Sequence, residues 1–369
     1  MSLGIENLWG ATDINTKRKI GIVLSGGGAK GAYEAGVLGS LAKKIESIQV
    51  MTGASIGAIN AAIFAWNYEQ TGDLTQAAAA VQAIWLELGN LFTISYLRII
   101  LSALISLIKT GSPLHFPSLA GKARIKSKLK GLIPQDLKIS DLTRIELIIN
   151  ATSLTAGETV SFSRENDSYL LDAVLASSSI PLVFAAQNIK GGYYVDGGVF
   201  NNTPLRDAIL AQATDIFVVE LKPKSKDLYL STICDQLEYD SVYRVGSRLT
   251  ELILDKIMYE DLKNARKINE IIEVIQVLRK SGKERLLIRK LEKSIGFRKN
   301  GQIKRRVNFY EIAPSQRLDP PGTFGFGDKK AIREIMLLGA EDGEKQLAQI
   351  TLPIKERPNF RAKAAGLRP

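Results

Sequence analysis

One cysteine, Cys234, and one histidine, His115, stand in 369 residues. A lone cysteine excludes an internal disulfide and fits a reducing compartment. One cysteine and one histidine together cannot assemble the common zinc sites, which need several such ligands. A Ser-His-Asp triad would have only His115 to draw on. That residue sits in GSPLHFPS, a Pro-flanked loop after an apolar stretch, and reads as a polar residue near a lid or helix end. Residues 1–17 contain no apolar run of signal-peptide length. A cytoplasmic location is therefore expected.

Apolar residues make up 45% of the chain and charged ones 24%. A sizeable core is available, and the charge content is that of an ordinary globular protein. The formal net charge is +11. It is concentrated: twelve Lys or Arg lie in 279–306 against Glu284 and Glu292, a local balance of +10. Such a run suits an anionic surface, and it also suits a solvated helical face. Peripheral contact with a membrane is the expectation carried forward; nucleic acid is not an expected partner. The stretch LFTISYLRIILSALISLIK, 91–109, is almost wholly apolar, with Arg98 inside it. Ser95, Arg98, Ser102, Ser106 and Lys109 form a narrow polar stripe at helical spacing. This is a buried core helix or an interfacial helix that touches lipid.

Residues 20–24 (IGIVL) predict a short buried strand, and the glycine-rich SGGGAKG follows. A helix then shows Tyr33, Val37, Leu38 and Leu41 on one face. Residues 48–52 (IQVMT) predict a second strand, and GASIGAINAAIF turns from it into a second helix. Two such units in succession predict an α/β layered fold with a parallel sheet. Residues 146–153 and 215–221 predict further strands, and 172–181 a helix stopped by Pro181. Beyond about 236 the pattern becomes helical, with Val245, Leu249, Leu252 and Ile253, then Ile268, Ile271, Ile272 and Ile275, at helical spacing. Residues 318–328 read as a turn-rich linker before a last helix over roughly 328–349.

Gly53-Ala54-Ser55-Ile56-Gly57 matches G-x-S-x-G. A strand-to-helix turn of this kind lifts a serine oxygen out of the fold, and small neighbours let backbone approach it. The same five residues also serve as a tight turn without chemistry. Gly26 to Gly31, GGGAKG, frees the backbone to aim N–H groups at one point, as an oxyanion hole requires. It also satisfies G-x-G-x-x-G, but the dinucleotide reading needs an acid after the second strand. Met51, Thr52 and Gly53 stand there instead. A phosphate-binding P-loop needs Lys after the final glycine, and Lys30 precedes Gly31. Asp196-Gly197-Gly198 follows the strand-like Tyr193-Tyr194-Val195. A buried carboxylate there would accept a serine proton; an Asp-Gly pair equally makes an Asx turn.

Together and in this order the motifs resemble the patatin-like phospholipase family. The resemblance covers roughly residues 18–222 and includes GGGAKG, GASIG, ASSSIPLVF (176–184) and DGGVFNNTP (196–204). It implies a three-layer α/β/α sandwich with a mostly parallel central sheet. It implies hydrolysis of carboxylic esters in phospholipids or related glycerolipids by a Ser–Asp dyad without histidine, with no metal or cofactor required. It maps the nucleophile to Ser55, the base to Asp196, and the oxyanion hole to the backbone of Gly26, Gly27 and Gly28. Lys30, Gly31, Gly53, Gly57, Gly197 and Gly198 belong to the supporting motifs. The family often has arginine where Lys30 stands, and either residue supplies positive charge. A non-catalytic lipid- or protein-binding relative of the same fold is the alternative, and the intact Ser55 and Asp196 speak against it. The expected organisation is a patatin-like acyl hydrolase domain over 18–235 and a helical carboxy-terminal region over 236–350. Residues 1–17 and 351–369 are expected to be flexible termini.

Overall fold

Strand β1 (Ile20–Leu24) has apolar side chains on both of its faces, and both faces are covered. The computed structural model describes residues 18–88, 123–181, 184–224, 262–279, 284–295, 298–299, 302–303, 306–318 and 329–350. The stretch 91–109, His115, Cys234, Val245 to Ile253 and linker residues 319–328 lie outside the described residues, as do both termini.

Helix α1 (Gly31–Lys44) follows β1, and helix α2 (Ile56–Thr71) follows strand β2 (Val50–Ala54). Helices α3 (Leu74–Leu88) and α4 (Ala123–Lys130) come next. The middle of the chain supplies β3 (Glu146–Ser153), β4 (Glu158–Phe162), α5 (Leu170–Ser177), β5 (Gln187–Ile189) and β6 (Gly192–Asp196). Helix α6 (Leu205–Leu210) and strand β7 (Asp215–Val219) follow. The carboxy-terminal part adds helix α7 (262–279), α8 (Arg285–Ser294), a small β8–β9 hairpin (Arg298–Lys299 with Gln302–Ile303), β10 (Asn308–Ile312) and α9 (Lys329–Ala348).

Among the described residues eight strands form one sheet in the order β10-β7-β1-β2-β3-β6-β5, with β4 also on β3. The five strands from β10 to β3 are parallel, whereas β4, β6 and β5 pair antiparallel. Side chains alternate across a strand, and the alternation divides the core in two. Ile22, Leu24, Met51, Ile149, Phe217 and Val219 face the layer that contains α1, α2, α3 and α9. Val23, Val50, Ile148, Ile216 and Val218 face α6 and the start of α7. The result is a mostly parallel sheet between two helical layers.

One detail of the pairing matters for chemistry. Asn150 pairs with both Ala54 of β2 and Ser161 of β4. Ala151 pairs with both Val160 of β4 and Asp196 of β6. Strand β4 therefore takes one edge of β3, and β2 and β6 share the other. They meet there end to end, with Ala54 opposite Asn150 and Asp196 opposite the next residue.

The structure adjusts several expectations. The second strand runs over Val50–Ala54 rather than 48–52, because Gly53 and Ala54 pair with β3 before the chain turns. The strand expected over 215–221 ends at Val219. Helix α5 ends at Ser177, ahead of Pro181. Its last turn is closed by hydroxyls: Ser178 Oγ donates to Val174 O, and Ser179 Oγ donates to Leu175 O. Among the described residues the carboxy-terminal region is largely helical as expected, yet it also supplies β10, an edge strand of the main sheet beside β7.

Candidate active site

Ser55 stands between β2 and α2 with φ 53° and ψ −122°. A positive φ is unfavourable for serine, costing on the order of 1–3 kcal/mol, and persists only where the surroundings enforce it. Gly57 is part of that enforcement. A Cβ there would lie 2.6 Å from Leu24 O, so only glycine lets the first turn of α2 press on the end of β1. Gly53, paired to Leu24 and Ile149, has Gly57 O within 2.5 Å of where its Cβ would be. The start of α2 also directs its helix dipole at the serine, which favours developing negative charge.

Asp196 ends β6 and lies against Ser55 because the two strands share an edge of β3. Ser55 Oγ donates to Asp196 Oδ2 at 2.6 Å. Asp196 Oδ1 accepts the N–H of Gly198 at 2.8 Å. The carboxylate thus makes an Asx turn with one oxygen and holds the serine hydroxyl with the other. Ser55 is 7% exposed and Asp196 6%. Burial pushes the Asp196 carboxyl up to about 6, against the lowering effect of the bonds from Ser55 and Gly198.

The backbone of both residues is held by groups that the motifs alone do not flag. Ser55 N–H donates to Ser177 Oγ at 2.9 Å. Asp196 N–H donates to Ser179 O at 2.9 Å, and Thr152 Oγ1 donates to Asp196 O at 3.0 Å. The serine run of ASSSIP therefore has a positional reason: Ser177 holds the backbone of Ser55 and Ser179 that of Asp196.

The glycine loop joins this pair from β1. A Cβ on Gly26 would fall 3.0 Å from Ser55 Cβ, so the loop passes directly beside the serine. Gly28 has φ 59°, a conformation open to glycine. Gly26 differs from its two neighbours. Its N–H donates to Asn202 O at 3.1 Å, and its carbonyl accepts Asn202 Nδ2 at 3.1 Å. The expected oxyanion role for Gly26 is corrected on this ground: its donor is already in use. Among the described residues no backbone carbonyl takes the N–H of Gly27 or Gly28. Lys30 ends the short 3-10 turn that begins at Gly28 and donates its N–H to Gly27 O at 3.3 Å. Gly31 opens α1, and Gly197 packs so tightly that a Cβ would lie 2.3 Å from Asn150 O. Ser55, Asp196 and Gly26 thus lie side by side, with Gly53 and Gly57 shaping the turn at Ser55 and Gly197 the turn after Asp196. Among the described residues no group of acids, histidine or cysteine is arranged to hold a metal.

A profile of the patatin-like phospholipase family matches residues 22–209. A curated relative, the probable lipid hydrolase 463L of Invertebrate iridescent virus 6, is 27% identical over 202 residues, 51% of this chain and 62% of its own. A second, the cGAMP-activated phospholipase of Escherichia coli (strain TW11681), is 25% identical over 234 residues, 57% and 60% of the two chains. The matches span about three fifths of the length of these relatives. Among solved structures, VipD from Legionella pneumophila is similar with a TM-score of 0.42 and 15% identity, covering 90% of this chain and 67% of that one. Human GIVD cytosolic phospholipase A2 in complex with methyl gamma-linolenyl fluorophosphonate is similar with a TM-score of 0.44 and 13% identity, covering 90% and 58%.

Proposed function

Because the chain belongs to the patatin-like phospholipase family, we propose that it is a lipid acyl hydrolase that cleaves carboxylic esters of phospholipids or related glycerolipids through an acyl-enzyme on Ser55. The observation that carries this reading is the 2.6 Å bond from Ser55 Oγ to a buried Asp196 carboxylate. Ser55 Oγ attacks the ester carbonyl carbon as its proton passes to Asp196. The N–H groups of Gly27 and Gly28 hold the oxyanion. The tetrahedral species collapses, and the alcohol leaves with the proton from Asp196. Water then attacks the acyl-enzyme and gives its proton to Asp196. Collapse returns that proton to Ser55 Oγ and frees the fatty acid. Incubation with a mixed lipid extract, read by mass spectrometry, should show free fatty acid and the matching deacylated lipid. These products should be missing with Ser55→Ala. A folded wild-type protein that releases no acid from any lipid would contradict the proposal.

The base must be ionised before it can take a proton. Burial raises Asp196 to about 6, so the protonated, inactive form prevails below that pH. On a soluble ester kcat/KM should rise about tenfold per pH unit below 6 and level off above it. A flat profile from pH 4.5 to 8 in folded protein would contradict the role of Asp196.

Substrate in a bilayer calls for a membrane-facing surface, and we assign it to the basic segment 279–306. Helix α8 tucks Ile288 and Leu291 against Ile272, Ile275 and Ile295. Its opposite side exposes Arg285, Arg289, Lys290 and Lys293 around Leu286, which is 70% exposed. Basic residues around an exposed leucine suit an anionic interface. No helix among the described residues is long and apolar enough to cross a membrane. Residues 91–109 are proposed as a second contact on their sequence alone. In co-sedimentation, Ser55→Ala protein should bind acidic vesicles more than neutral ones, and added salt should weaken that binding. Equal binding to both at every salt concentration would remove segment 279–306 from the account.

A further inference from the structure

Glu34 carries a carboxyl group with no access to solvent, one turn into α1. Burying such a group is costly, and here burial pushes it up to about 8 even though two hydrogen bonds pull the other way. An apolar side chain of similar length would fill the space without that cost. What it would lose are two contacts. Glu34 Oε1 accepts the N–H of Ser25 at 2.7 Å, and Oε2 accepts Asn60 Nδ2 at 2.9 Å.

Asn60 extends the contact. Its Nδ2 also donates to Gly31 O at 3.0 Å, and its Oδ1 accepts Trp85 Nε1 at 2.9 Å. Trp85 therefore fixes which end of the Asn60 amide faces Glu34. Ser25 is the residue before Gly26, and Gly31 closes the glycine loop. The two side chains thus tie both ends of the loop at one buried point. Asn60 belongs to α2, whose first residue follows Ser55. The clamp links the helix behind the nucleophile to the loop beside it. On the other side of the loop Asn202 holds Gly26 by its N–H and its carbonyl.

We propose that Glu34 is a positioning residue, which acts with Asn60 to hold the Gly27 and Gly28 amides where the oxyanion forms. The catalytic part of this rests on the ester hydrolase reading above; the clamp itself does not. A carboxyl oxygen accepts a hydrogen bond in either protonation state, whereas an amide NH₂ cannot. Glu34→Gln therefore sets a donor against Ser25 N–H or against Asn60 Nδ2. Asn60→Asp instead sets two carboxyls against each other. The double variant swaps the amide and the carboxyl between the two positions. The amide now at position 34 donates to position 60 and accepts from Ser25 N–H, and the carboxyl now at position 60 still accepts from Trp85 Nε1. Protonated on the oxygen that faces Gly31 O, as a buried carboxyl is, it donates there in place of the Asn60 amide.

The test is kinetics on a soluble ester, with hydrogen exchange of peptide 25–31 measured on the same four proteins. Each single variant should lower kcat on the order of a hundredfold with KM little changed, as a displaced loop would. Each should also speed exchange in 25–31. The double variant should recover kcat to within about tenfold of wild type and restore slow exchange. Refolding of the double variant where a single variant fails to fold is the same rescue. Wild-type kcat and exchange in Glu34→Gln would overturn the proposal. So would a double variant as impaired as the singles, or unfolded like them, since Glu34 would then be an element of the core only. If the wild-type protein proved inert on esters, the hydrolase reading would fall, and the exchange pattern would still decide whether the clamp exists.

Discussion

Ser55→Ala should lower ester turnover on the order of 10⁴-fold or more while leaving the fold unchanged. Alanine keeps the Cβ of residue 55, so the turn between β2 and α2 loses no packing. What goes is the oxygen that bonds Asp196 Oδ2 at 2.6 Å. Asp196→Asn should cost nearly as much, for a reason visible in the same contacts. Asp196 Oδ1 accepts the Gly198 N–H, so the side-chain oxygen of an asparagine would take that place. Its NH₂ would then face Ser55 Oγ as a donor, and the serine proton would have no acceptor. Two residues that act as one unit give grossly non-additive losses, so the double variant should be little worse than either single. Turnover of a chromogenic ester, with unfolding midpoints measured alongside, checks this. Near-normal turnover in either folded variant would refute the pairing.

Gly339→Leu should destabilise the whole fold, lowering the unfolding midpoint by about 5–10 °C or more. Helices α1 and α9 cross in backbone contact. A Cβ on Gly339 would lie 2.1 Å from Tyr33 O, and one on Gly36 would lie 2.0 Å from Met336 O. Neither obstacle is a side chain that could rotate away. Separating the helices would break Ser40 Oγ to Ala340 O at 2.8 Å and Tyr33 Oη to Asp342 Oδ2 at 3.3 Å. Activity should fall with stability, since α1 carries Glu34 at the root of the glycine loop. For the same reason a chain cut after residue 235 should not fold: it lacks both β10 and α9. An unchanged midpoint in Gly339→Leu would contradict this crossing.

Much of the site is legible in the sequence because its demands are local. The turn at Ser55 needs small neighbours, and Gly53, Ala54 and Gly57 supply them. The turn after Asp196 needs glycines, and they follow it directly. The parallel core is legible for a similar reason: β1, β3 and β7 are buried on both faces and read as apolar runs. Other parts depend on distant partners. Three consecutive glycines look alike until Asn202, far along the chain, takes the Gly26 N–H. Ser177 and Ser179 read as a helix end, and their service to Ser55 and Asp196 exists only once the strands have met on β3. Glu34 lies in a helix where its neighbours look like ordinary core; nothing local says that its carboxyl faces Ser25. Strand β10 is hidden by its half-buried side chains and the basic run before it. Strand β5 has only three residues, too few to show a period.

The proposed reaction passes through an acyl-enzyme on Ser55 formed with Asp196 as the base. Rapid quenching of the protein during turnover of a slow ester, followed by peptide mass spectrometry, addresses it directly. The peptide that contains Ser55 should gain the mass of the acyl group in wild type and lack it in Asp196→Asn. Full turnover with no adduct there, or an adduct on another residue that forms and decays at the rate of the reaction, would contradict it.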